Sequence, residues 1–154
     1  MRPAVLFVCL GNICRSPLAE AAFRRAAEQA GLDITIDSAG TGDWHIGKAP
    51  DPRAIATAHR HGCDITQYSA RQLCAADFDR FTHIFALDAS NLSAIRQAAP
   101  GESAAQVALL LDMVAGREGH SVADPYFGDE AGFETTWDDV TQAAQALVEW
   151  IESA

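Results

Sequence analysis

Apolar residues in this chain fall into short unbroken runs, separated by longer stretches in which they recur every three or four positions. That alternation predicts strand–helix crossover units and a parallel sheet. The first run, Ala4–Cys9, is nearly all apolar, as expected of a strand covered on both faces. Further strands are expected at Ile34–Ser38, His83–Asp88 and Gln106–Leu111. Between the first two, Leu18, Ala19, Ala22, Phe23, Ala26, Ala27 and Ala30 form a helical stripe, with Glu20, Arg24 and Glu28 on the opposite face and Gly31 as terminator. Other helices should follow Asp51-Pro52 and Asp88, with a short one near Asp77–Arg80. The last helix is predicted to start at Thr136 as N-cap, with Asp138 and Asp139 in its first turn and Trp137, Val140, Ala144, Leu147, Val148 and Ile151 on one stripe. Asp112–Thr135, with four glycines and Pro125, is expected to be a long surface loop, and loops of that length are usually functional.

No repeat, linker or low-complexity tract divides the 154 residues, so one domain is expected. No apolar run approaches the ~20 residues of a membrane span, and no leader pattern is visible, so a soluble, cytoplasmic protein is expected. Acidic residues outnumber basic ones 21 to 11, and Lys48 is the sole lysine. The net charge of −10 opposes binding to nucleic acid or to an anionic membrane. The four cysteines give neither a disulfide framework nor paired zinc knuckles, which fits a reducing compartment.

Chemistry concentrates where the first strand meets the first helix, in Cys9-Leu10-Gly11-Asn12-Ile13-Cys14-Arg15-Ser16-Pro17. Gly11 and Asn12 tolerate left-handed backbone angles, so successive N–H groups can curl into an anion nest at the positive end of the helix. Ser16 is expected to cap that helix, and Pro17 suits its first turn. Arg15 adds a planar fork of donors suited to two phosphate oxygens. Cys9, facing the same N–H groups, is placed to act as a thiolate nucleophile. Cleavage of a phosphate ester also needs a proton for the departing oxygen. Asp124, in Asp124-Pro125-Tyr126-Phe127-Gly128-Asp129, is the candidate acid, beside aromatic residues able to wall a phenyl ring; a plain turn aspartate is the competing reading.

The segment VLFVCLGNICRSPLAEA, with a distant DPYFGD, resembles the low-molecular-weight protein tyrosine phosphatases. The resemblance extends over almost the whole chain through SAGTGDWHIGKAPDPRA, HGCDIT, ARQL and DFDRFTHIFALDASNL. It implies a single-domain α/β fold, with a four-stranded parallel sheet flanked by helices on both faces and a phosphate-binding loop, Leu10 to Ser16, after the first strand. It implies Cys9 as nucleophile, Arg15 as phosphate clamp, and Asp124 as general acid and then base. It also implies that Ser16 hydrogen-bonds the thiolate while Asn12 fixes the loop with Ser38. The substrate would be a phosphotyrosine protein, such as a bacterial tyrosine kinase, and inorganic phosphate the product; no cofactor or metal is called for. Members are monomers or self-associate weakly through the active-site face.

Trp44, Tyr126 and Phe127 are the expected pocket wall, favouring an aryl ester over a serine ester. Relatives acting on arginine phosphate carry threonine at the position of Ile13, so isoleucine favours tyrosine. Tyr68 stands where many bacterial relatives have a histidine that supports the loop, and its hydroxyl is the expected substitute. Phe127 replaces the second tyrosine of a DPYYG form. The resemblance also suggests a reversible disulfide between Cys9 and Cys14, with a buried space-filling thiol as the other reading of Cys14. Cys63 and Cys74 are expected to be buried or partly buried thiols, and the five histidines, including His45, His59 and His61, to be surface residues. Arsenate reductases share the loop, but Cys63 and Cys74 both precede His83–Asp88, whereas their thiol relay follows the third strand. A phosphocarrier needs no acid for an aryl leaving group, and a phosphate-binding module needs no thiolate, so Asp124 and Cys9 separate those readings.

Overall fold

A computed structural model describes residues 2–153. The elements in chain order are β1 (Ala4–Cys9), α1 (Arg15–Gln29), β2 (Thr35–Gly40), α2 (Pro52–Arg60), α3 (Asp77–Arg80), β3 (His83–Ala86), α4 (Ala89–Ala98), β4 (Gln106–Leu109), a 3-10 turn over Leu110–Met113, and α5 (Glu130–Ser153). The four strands form one parallel sheet in the order β2-β1-β3-β4. All six residues of β1 are buried, because both faces of this central strand are covered. Val5 and Phe7 pack with Leu18 and Phe23 of α1 and with Trp137, Val140 and Leu147 of α5. Leu6 and Val8 face the other way, against Phe78 of α3, Phe81 just after it and Ile95 of α4. The expected α/β architecture is therefore the observed one.

The order in which strands are added reverses at β1, which has β2 on one side and β3 on the other, all running parallel. Crossovers leaving in opposite directions open a crevice at the carboxyl end of the strand, where open α/β sheets bind ligands. Cys9 is the last residue of β1 and lies at that point.

Several boundaries differ from expectation. β3 stops at Ala86 and β4 at Leu109, since Asp88 is used to cap α4 and Leu110–Met113 coils into the 3-10 turn. The last helix starts six residues before Thr136, at Glu130, which shortens the preceding loop to residues 114–129. Thr136 is not a cap; it is buried within the helix, and its Oγ1 donates to Gly132 O at 3.0 Å. Asp129 accepts from Gly132 N at 3.3 Å on its side chain, a bond of the capping kind. Phe133 extends the apolar stripe back by one turn. Among the described residues, no helix is long and apolar enough to cross a membrane.

Candidate active site

The loop between β1 and α1 curls because Asn12 adopts φ 58°, the one positive value at a non-glycine position among the described residues. Asparagine tolerates this region better than most residues. α1 begins at Arg15, two residues earlier than a Ser16 cap would require, and Cys14 at its N-cap supplies no side-chain bond. No side chain therefore caps the first-turn N–H groups, the arrangement that suits an anion.

Ser16 is turned to Cys9 instead. The Asn12 amide orders the bonds: its Oδ1 accepts from Arg71 N at 3.0 Å, so its Nδ2 donates to Ser16 Oγ at 2.7 Å and to Ser38 Oγ at 3.0 Å. Each serine, accepting one bond, has its single hydrogen left to give. Ser16 Oγ is hydrogen-bonded to Cys9 Sγ at 3.0 Å, and Asn12 N donates to that sulfur at 3.3 Å. Ser38 gives its own to Glu20 Oε1 at 2.7 Å, whose other oxygen accepts from Arg24 Nε at 2.8 Å. Glu20, expected on the solvent face, is only 5 % exposed, and burial raises its pKa against the lowering effect of Ser38 and Arg24. Tyr68 lies beside Glu20 and Arg24 with its phenol pushed up to about 12, by burial first and then by the Glu20 charge. Outside the phosphate loop, and besides each other, the side chains of Asn12 and Ser38 are thus bonded to the Arg71 backbone and to Glu20.

Gly40 presses on the loop from β2. A Cβ there would stand 2.8 Å from Leu10 O, 3.1 Å from Gly11 C and 3.2 Å from Asn12 N, all backbone atoms. Gly40 cannot retreat, because its N donates to Arg71 O and its O accepts from Leu73 N, each at 2.8 Å. Gly40→Ala is expected to cost about 1–3 kcal/mol of overpacking, lowering Tm by about 2–4 °C per kcal/mol in a chain of this size. A melting curve of the variant within a degree of wild type would show that the loop yields.

Arg15 is 3 % exposed, and its Nη1 donates to Asp88 Oδ2 at 2.7 Å and to Val122 O at 3.1 Å. Its Nη2 lies 3.5 Å from Asp124 Oδ2. The guanidinium therefore joins the end of β3 to the loop carrying the candidate acid. Cys9, Arg15 and Asp124 share one pocket of about 240 Å3, with Ile13 and Cys14 from the loop and Trp44, His45, Tyr126 and Phe127 around it. Tyr126 and Phe127 pack edge to face at 4.9 Å, and Phe127 is 95 % exposed. Burial, then the charges of Asp51, Cys9 and Asp124, push the Cys14 thiol up, with Arg53 opposing. All four cysteines are free; Cys63 is half-buried, whereas Cys74 is exposed, contrary to expectation. Among the described residues, no three His, Cys, Asp or Glu side chains group as a metal site.

The family model for low molecular weight phosphotyrosine protein phosphatase matches residues 4–154. The chain belongs to that family. It is 48 % identical to the low molecular weight phosphotyrosine protein phosphatase of Schizosaccharomyces pombe over 132 residues, covering 84 % of each chain. The solved protein tyrosine phosphatase of Entamoeba histolytica superposes with TM-score 0.92 at 32 % identity, covering 98 % of this chain and 97 % of its own. A Drosophila arginine phosphatase superposes with TM-score 0.91 at 31 % identity, covering 99 % and 98 %.

In this low molecular weight phosphatase the candidate residues from distant segments do meet in one pocket, and others join them without having been foreseen. His45 lines the pocket although a plain surface position was expected. Asp88 holds Arg15 while its Oδ1 caps α4 through Asn91 N at 2.7 Å. Only the cap was legible, because the pairing with Arg15 spans 73 positions.

Proposed function

We propose that this chain hydrolyses tyrosine phosphate through a phosphocysteine on Cys9. The observation that carries the reading is one pocket holding the Cys9 sulfur, the buried Arg15 guanidinium and the Asp124 carboxylate. Arg15 and the loop N–H groups stabilise the equatorial oxygens of the phosphoryl group, and Cys9 attacks in line. Asp124 gives a proton to the departing phenolate, then takes one from the water that releases inorganic phosphate. Ser16 and Asn12 steady the sulfur as charge leaves and returns to it. Ser38 holds Asn12, and Tyr68 stands beside the buried Glu20 and its exposed partner Arg24. Trp44, Tyr126 and Phe127 are the proposed wall for the ring. Cys14, buried in the same loop, is the proposed disulfide partner of Cys9 under oxidation.

The substrate is a phosphotyrosine protein met in the cytoplasm by a monomer, and a tyrosine kinase is the candidate the resemblance offers. Phosphoarginine is the second reading, because a similar structure is described as an arginine phosphatase. Ile13 at the pocket favours tyrosine, since an apolar side chain contacts a phenyl ring better than a guanidino group. Hydrolysis of matched peptides bearing phosphotyrosine, phosphoarginine or phosphoserine, with a chelator present, decides between them. Phosphotyrosine is expected to lead by about tenfold or more in kcat/KM, a preference of the size pocket shape supplies. A lead for phosphoarginine would overturn the substrate and leave the cysteine chemistry standing.

A further inference from the structure

We propose that Arg53 is the positioning residue that sets where Asp124 stands relative to Cys9, an inference that rests on Asp124 being the general acid. Upstream of Asp124 the loop is anchored at several places. Val122 N donates to Leu87 O at 2.7 Å, and Arg117 Nη1 donates to Asp139 Oδ1 at 2.8 Å and Gln142 Oε1 at 3.0 Å. From Asp124 to Gly128 the bonds are otherwise local: Tyr126 N to Asp124 Oδ1 at 3.0 Å and Gly128 N to Pro125 O at 2.9 Å. Apart from the 3.5 Å approach of Arg15 Nη2 to Asp124 Oδ2, such a turn is tied only to itself and can swing as a unit. Among the described residues, the hydrogen bonds that reach the backbone of 124–128 from elsewhere come from one side chain. Arg53 Nη2 donates to Tyr126 O at 2.8 Å and its Nη1 to Gly128 O at 3.1 Å. Its guanidinium also lies 5.6 Å from the Tyr126 ring centroid and 4.7 Å from that of Phe133 at the start of α5.

The other end of the tether is the phosphate loop. Arg53 Nε and Nη2 bond the two Asp51 oxygens at 3.0 Å each, and Asp51 N donates to Ile13 O at 2.8 Å. Asp51 also accepts from Arg53 N at 2.8 Å as the N-cap of α2, so the start of that helix is a fixed post. Ile13, Asp51, Arg53 and Tyr126 thus form a short rigid link between the loop under the phosphate and the loop carrying the acid. Every bond in the fork uses planar, divergent N–H groups that a lysine cannot reproduce. A misplacement of the acid by about 1 Å is enough to cost up to about a hundredfold in rate.

The test is the dependence of kcat/KM on leaving-group pKa for a series of aryl phosphates, measured for wild type, Arg53→Ala, Arg53→Lys and Asp124→Ala. A misplaced acid penalises poor leaving groups most, so both Arg53 variants are expected to lose about tenfold or more on phenyl phosphate and little on a strongly activated ester, with competitive inhibition by inorganic phosphate unchanged. Arg53→Lys keeps the charge and the fold if alanine does not fold, and the same steepened dependence is expected of it. An equal loss for all leaving groups, weakened phosphate inhibition, or a wild-type slope in the Arg53 variants while Asp124→Ala is steep would overturn the role of Arg53 alone. A wild-type slope in Asp124→Ala would overturn the acid assignment and this inference with it.

Discussion

Cys9→Ser is expected to lose turnover of p-nitrophenyl phosphate and phosphotyrosine peptide by at least on the order of a thousandfold, in line with deletions of other covalent nucleophiles. The size follows from what surrounds the sulfur. The polar neighbours of Sγ are the Ser16 hydroxyl and the Asn12 N–H, so a serine oxygen there meets no base to take its proton. Sulfur is a strong nucleophile in such a setting, whereas an alcohol without a base is a weak one. Arg15, its partner Asp88 and the loop backbone are untouched by the substitution, and phosphate binding by calorimetry is expected to persist. Residual activity within about tenfold of wild type would place the nucleophile elsewhere, and loss of phosphate binding would mean that the loop had collapsed.

Asp124→Ala is expected to lower kcat for phenyl phosphate by about 10²–10⁴, the usual contribution of a positioned acid. Its effect on binding has the opposite sign. Asp124 Oδ2 lies 3.5 Å from the Arg15 guanidinium proposed to hold the phosphate, so removing the carboxylate removes a competitor and a like charge. The inhibition constant for inorganic phosphate should stay level or fall while kcat drops. Stopped-flow release of phenol separates the two, and a variant with near-normal kcat would refute the acid assignment.

What the sequence disclosed depended on how far apart the cooperating residues stand along the chain. The phosphate loop is contiguous: the sulfur, the left-handed Asn12, the Arg15 fork and the Ser16 hydroxyl fall within eight positions, so their chemistry could be argued from adjacency. Asp124 stood out because it precedes proline in a glycine-rich stretch beside aromatics. Glu20 was misread because its helical spacing with Arg24 suits a solvent-exposed ion pair, and only β2 lying alongside β1 brings Ser38 to it. Arg53 looked like any first-turn residue, and its partners lie 73 and 75 positions away. The start of α5 was hidden by Gly128 and Gly132, which weaken a helical pattern although Asp129 carries a cap signal. Ser16 failed as a cap because α1 already begins at Arg15, which puts Ser16 inside the helix with its hydroxyl accepting from Asn12 Nδ2 and bonded to the Cys9 sulfur.

The contacts of Arg15 also bear on the order in which the molecule is made. Its guanidinium is held by Asp88 and Val122, 73 and 107 residues further along the chain. Closing loops of that length is an entropic cost met only when the sheet and the acid loop have docked. A chain emerging from the ribosome therefore exposes Cys9 and its anion nest long before Arg15 is oriented, and it reaches chemical competence only as a finished fold. On the proposed chemistry, synthesis itself keeps the Cys9 thiol from acting too early.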